Sequence, residues 1–136
     1  MKTLQQLLPF FVFLLVFGLS HAQSEKKEPL PAKVVEAMKQ GDISKLSPFL
    51  NDKIELVLPG ESGIFSKEQA HFILRNFFKD NKVTSFQILH HGARQNATFA
   101  IGEYKCTNEQ FRMYFLVKTT EDGKSLIHQI RIEKQE

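Results

Sequence analysis

The sequence predicts an α+β fold in which helices cover one face of an antiparallel sheet. Two patterns carry this. Apolar residues recur at three- and four-residue intervals in "PLPAKVVEAMKQGD" and again in "SKEQAHFILRNFFKD", the period of a helix with one buried face. From residue 84 onward the period falls to two in four consecutive segments separated by turn-rich stretches, as in hairpin-connected strands.

The elements follow in order. Pro31 suits the first turn of a helix, Val34, Val35 and Met38 mark its inner face, and Gly41 suits its C-terminal cap. Asp42 caps a second, short helix running to Leu46, and Pro48 stops it. In "KIELVLP" (53–59), Ile54, Leu56 and Leu58 alternate with Glu55 and Val57, which reads as a strand; "GESGIFS" is a turn followed by a short extended piece. Ser66 and Gln69 stand at capping-box spacing and open the clearest helix. Ala70, Ile73, Leu74 and Phe77 share its inner face, while His71, Arg75 and Lys79 form a solvated one. Strands are expected at about 84–91, 97–106, 111–118 and 125–133, joined through "GARQN", "TNEQ" and "TEDG".

The N-terminal stretch "MKTLQQLLPFFVFLLVFGLSHAQSEKK" reads as a secretory signal peptide. Lys2 supplies the positive start, and Leu7 to Leu19 is an apolar run too short to span a bilayer comfortably. Ser20 and Ala22 are the small residues of a cleavage site. The expected organisation is therefore a signal peptide over 1–22, a flexible tether over 23–29 and one domain over 30–134. The protein is expected to be exported, periplasmic or secreted, with no membrane span once the signal is removed. Intact-mass measurement of natively exported material should give a chain starting at Gln23; a mass that retains residues 1–22 would refute this.

Lys and Arg number 18 against 15 Asp and Glu, for a net charge of +3. So small an excess gives no argument for a nucleic-acid partner. Cys106 is the one cysteine, so no internal disulfide is available, and it is expected to act as a small buried hydrophobe. The sequence carries no Ser/His/Asp spacing, no paired-cysteine or HExxH motif and no glycine-rich phosphate loop. No catalytic residue, cofactor or metal is assigned.

The order of elements resembles the nuclear-transport-factor-2-like cone, also described as cystatin-like, in which a curved sheet wraps a long helix. The segments "VLPGESGIFSKEQAHFILRNFF", "FAIGEY", "FRMYFLVK" and "LIHQIRIEK" are similar to those of a family of small exported bacterial proteins, domain of unknown function 4783. The resemblance runs over roughly residues 30–134. It implies the fold and export, and transfers no catalytic residue. Enzymes of the wider fold use inward Asp, His or Tyr side chains. Here Asp42, Asp52, Asp80 and Asp122 all read as loop or helix-end residues.

A register can be proposed from the turns. A two-residue loop at Asn108-Glu109 sets Tyr104 opposite Met113 and Gly102 opposite Phe115; a four-residue "TEDG" loop sets Phe115 opposite His128. The adjacent histidines His90 and His91 must then point to opposite faces, His90 in and His91 out, so they cannot share a metal; with His128 the only other contributor, zinc lacks a third ligand. The expected lining of any inner pocket is His90, Gly102, Tyr104, Met113, Phe115 and His128, with Gly102 and Ala100 leaving room. The competing expectation is that Phe77 and Phe78 of the long helix fill that space. On the outer face the register aligns Ile101, Leu116 and Ile127 beside Tyr114, a candidate homodimer interface; the resembling fold often dimerises through this surface. The preferred function is a non-catalytic exported domain that binds a small apolar ligand or a protein partner. A dimeric structural or assembly module is one alternative, and an enzyme with a His/Tyr pocket is another.

Overall fold

The computed structural model describes residues 29–136; the expected signal peptide and nearly all of the tether lie outside the described residues. Three helices, α1 (Ala32–Gln40), α2 (Ile43–Leu46) and α3 (Lys67–Asp80), accompany six strands: β1 (Leu50–Leu58), β2 (Glu61–Ser66), β3 (Val83–Arg94), β4 (Ala97–Cys106), β5 (Gln110–Thr119) and β6 (Ser125–Gln135). A single 3-10 turn, Ser47–Phe49, links α2 to β1 and contains Pro48. No helix among the described residues is long and apolar enough to cross a membrane.

The helix ends follow from their caps. Gly41, at φ 62°, closes α1 in the left-handed conformation, which glycine adopts without a Cβ clash. The Asp42 side chain accepts hydrogen bonds from the Ser44 and Lys45 amides. The Ser66 hydroxyl accepts from the Gln69 amide, and the Gln69 side chain accepts in return from the Ser66 amide, a complete capping box.

The strands form one curved, open sheet in the order β2-β1-β6-β5-β4-β3. Neighbours run antiparallel except β1 and β6, which are parallel. The helices pack on the inner face. Ala70, Leu74, Phe77 and Phe78 of α3 and Val34, Ala37 and Met38 of α1 are buried against Phe86, Ala100, Tyr104, Phe111, Met113, Phe115, Ile130 and Ile132.

The register departs from the expected one in two ways. Cys106 donates its amide proton to the Glu109 carbonyl, so the β4–β5 turn centres on Thr107 and Asn108, one residue earlier than expected. Tyr104 therefore faces Phe111 and Gly102 faces Met113. This is a two-residue shift, which keeps every side chain on its expected face. The departure in β6 has a larger effect. The loop from Thr120 to Lys124 is closed by the Thr120 amide on the Lys124 carbonyl and contains Gly123 at φ 83°. Its extra residue pairs Val117 with Ile127 and Lys118 with Leu126; a bulge at His128 then restores the phase, so that Leu116 faces Gln129 and Phe115 faces Ile130.

Candidate functional site

The inner wall is built from alternate residues of β3, β4, β5 and β6, and it is full. Tyr104 and Met113 are 0% exposed and Phe115 is 1% exposed. The Phe77 and Phe78 rings of α3 lie 5.6 and 6.1 Å from the Tyr104 ring, and Phe77 sits edge-on to Phe111 at 5.1 Å. Gly102 leaves no empty space either: a Cβ there would lie 2.6 Å from the Phe86 ring, which occupies the missing side chain's volume. Of the two expectations for this wall, filling by α3 is the observed one.

Two of the six expected lining residues stand elsewhere. A bulge between Ile88 and His90 sets His90 beside Ile101, on the outer side, and His91 beside Ala100; both histidines are exposed. This reverses the inward assignment of His90, because one extra residue, Leu89, changes the phase of the strand. His128 is the extra residue of the β6 bulge and is only partly buried. Partial burial and the neighbouring Lys118 charge hold its pKa below the ordinary histidine value. The Tyr104 hydroxyl donates to the Asn81 carbonyl at 2.5 Å, and burial pushes its pKa well up. Tyr104 is thus a structural donor, with neither histidine converging on it. Among the described residues no three His, Cys, Asp or Glu side chains are grouped to hold a metal ion.

A serine–histidine contact absent from the sequence expectations joins Ser47 Oγ to His71 Nδ1 at 2.6 Å. The two residues are 24 positions apart, so local spacing could not reveal it. Among the described residues no carboxylate bonds the other ring nitrogen, the place of the group that orients the imidazole in a catalytic triad. The contact ties α3 to the 3-10 turn. Cys106 is half-buried, donates from Sγ to the Glu109 carbonyl, and has its thiol pKa raised chiefly by burial, which disfavours a reactive thiolate.

The outer face carries a contiguous, partly exposed apolar feature. Phe99 pairs with Leu116 and Ile101 with Tyr114 across β4 and β5, so four large side chains form one block. Phe99 is 49% exposed, and its ring lies over Gly92, where a Cβ would come within 2.7 Å. Ile127, expected in this block, is 1% exposed and belongs to the core. The longer β5–β6 loop turns it inward and puts Leu126 at the outer position opposite Lys118. Around the block the charges are paired locally: Lys105 with Glu103 at 3.2 Å and Arg131 with Glu133 at 3.7 Å, while Gln129 donates to Glu55 at 3.1 Å.

The family model for the domain of unknown function DUF4783 matches residues 31–133. The chain belongs to the DUF4783 family. Within it, a Bacteroides ovatus member of known crystal structure is 38% identical, with 79% of this chain and 97% of that one covered at a TM-score of 0.75. A Bacteroides fragilis member is 35% identical over 78% and 99% of the two chains, at 0.73. Beyond the DUF4783 family, an NTF2-like protein of unknown function from Shewanella baltica is 16% identical, covering 76% and 86% at 0.58. A cystatin-like protein from Silicibacter pomeroyi is 14% identical, covering 77% and 72% at 0.57. At such identities the likeness is one of fold alone, and it establishes the α+β, nuclear-transport-factor-2-like architecture. A comparison with curated proteins returned no match.

Proposed function

We propose that this DUF4783 protein is an exported, non-catalytic module that works by self-association through the outer face of its sheet. The observation that carries the reading is the contiguous block of Phe99, Ile101, Tyr114 and Leu116, with no helix over it. β1 and β3 to β6 together offer a face of about 800 Å², taking ~4.8 Å per strand and ~3.3 Å per residue. That matches the roughly 800 Å² each partner contributes to a standard interface. The bordering charges come close to balance, Glu55, Glu103 and Glu133 against Lys105, Arg112, Lys118 and Arg131, although Arg112 and Lys118 stand in no ion pair among the described residues, so the face has no strong sign of charge with which to select an acidic or basic partner. A second copy, presenting the same neutral rim and apolar centre, fits it. The filled inner wall weighs against the small apolar ligand at that place, and the separation of Tyr104 from His90 and His128 weighs against the His/Tyr enzyme.

The test is analytical ultracentrifugation of the chain starting at Gln23 over a concentration series, beside Leu116→Glu. Wild type should form a dimer in the micromolar range. The variant should associate at least ten-fold more weakly, because each copy would place a carboxylate in an apolar centre. A wild type monomeric at high micromolar concentration, or a variant that dimerises equally well, sinks the reading.

A further inference from the structure

A second surface lies on the helical side, away from the sheet's outer face. A cleft of about 550 Å³ opens between the C-terminal end of α1, the second half of α3 and the start of β3. Its floor is apolar, from Ile43, Phe78 and Val83, and its rim carries Arg75, Lys79 and Lys82. Arg75 and Lys79 are one helical turn apart on α3 and so point the same way; Lys82 follows just beyond the Asn81 cap.

The charge at this cleft is unbalanced. Among the described residues no carboxylate lines it. The ion pairs among the described residues join Lys45 to Glu36, Lys105 to Glu103, Arg131 to Glu133 and Lys134 to Glu109, and none involves the three rim cations. Lys79 and Lys82 also border an adjoining groove with Asp80 and Glu109, yet neither acid comes within ion-pair distance. Arg75 lies against the Phe72 face, with its guanidinium carbon 4.8 Å from the ring centre. Helix-end electrostatics accounts for only part of the charge. Two helices end here, and a helix C-terminus carries roughly half a negative charge, so three cations leave an excess of about two positive charges. The last carbonyls are moreover occupied, Phe77's by the Asn81 amide and side chain and Met38's by the Gly41 amide.

We infer that this cleft binds a small amphipathic anion, an apolar body bearing a carboxylate or phosphate head, with the head held by Arg75, Lys79 and Lys82 and the body against Ile43, Phe78 and Val83. Apolar walls with a few convergent charges are the usual make-up of a small-ligand site, and a guanidinium beside ammonium groups suits an oxyanion. The inference is independent of the dimer, which uses the opposite face.

The probes are phenyl phosphate, phenylacetate, inorganic phosphate and benzyl alcohol, titrated into the full mature chain and followed by amide NMR shifts and calorimetry. Phenyl phosphate or phenylacetate should saturate, with shifts concentrated at Gly41, Ile43, Phe78 and Val83. Which of the two binds more tightly distinguishes a phosphate from a carboxylate head. Inorganic phosphate and benzyl alcohol should each bind at least ten-fold more weakly. A triple variant, Arg75→Gln, Lys79→Gln and Lys82→Gln, should lose at least ten-fold in affinity at an unchanged melting temperature, since all three side chains are exposed. Lys124→Gln, in the distant β5–β6 loop, should bind as wild type does. The inference falls if neither aromatic anion saturates at millimolar concentration, if inorganic phosphate binds as tightly as phenyl phosphate, or if the triple variant binds undiminished.

Discussion

Tyr104→Ala is expected to destabilise the protein by about 3–5 kcal/mol, the range for removing a buried aromatic ring. Tyr104 is 0% exposed and touches three aromatic rings, those of Phe77, Phe78 and Phe111. It is also the bolt between sheet and helix, because its hydroxyl donates to the carbonyl of Asn81, the residue that caps α3. Tyr104→Phe keeps the ring and leaves that carbonyl without its donor, so it should cost about 1–2 kcal/mol. Urea denaturation of the two variants beside wild type separates packing from hydrogen bonding. Equal losses in both would mean that the hydroxyl dominates, and a loss below 1 kcal/mol in Tyr104→Ala would show that the wall is not packed as described.

Gly102→Val should destabilise by about 3 kcal/mol, at the upper end of the overpacking range. The wall has no room there: the Phe86 ring stands 2.6 to 2.8 Å from any Cβ, and the Gln87 carbonyl oxygen is 3.4 Å away. Phe86 is itself held, 4% exposed and edge-on to Phe115 at 6.2 Å. If steric conflict with that ring is the cause, Phe86→Leu should recover part of the loss in the Gly102→Val background while destabilising wild type. Thermal unfolding of the four proteins in the cycle measures this. A neutral Gly102→Val, or a double variant whose losses simply add, would mean that an open space survives beside Gly102.

These two positions also show what was legible in the sequence. The elements themselves were, because capping residues and apolar period are local: Ser66 and Gln69 announce α3, and Asp42 announces α2. The faces of β4 and β5 were legible even though the turn was misplaced, since a two-residue shift preserves alternation. The faces around His90 and in 125–128 were not. An odd insertion reverses them, and the bulges at Leu89 and His128 have no compositional mark, being ordinary residues in an ordinary run. The outer block was visible through Ile101, Tyr114 and Leu116; Ile127 was assigned to it because its inward turn depends on a loop one residue longer than counted. Of the three cations of the helical cleft, Arg75 and Lys79 were read with His71 as a solvated helix face and Lys82 was not singled out, because their joint placement with Ile43 and Val83 is a product of tertiary packing.

The parallel pairing of β1 with β6 has a consequence for how the sheet is completed. The Gln129–Glu55 hydrogen bond spans 74 residues of chain, whereas β3, β4 and β5 each pair with the strand that follows. The β1–β2 hairpin therefore has no neighbouring strand to zip onto until the last dozen residues are present. A chain emerging N-terminus first from the ribosome holds that hairpin with α3 packed on it but with no third strand beside it, and two-stranded ribbons are marginal without further support. Closure then depends on the slowest kind of contact to form, the one with the largest loop to close. The C-terminal strand acts as the latch of the fold, and a chain truncated before it would lose the attachment of its beginning as well as its end.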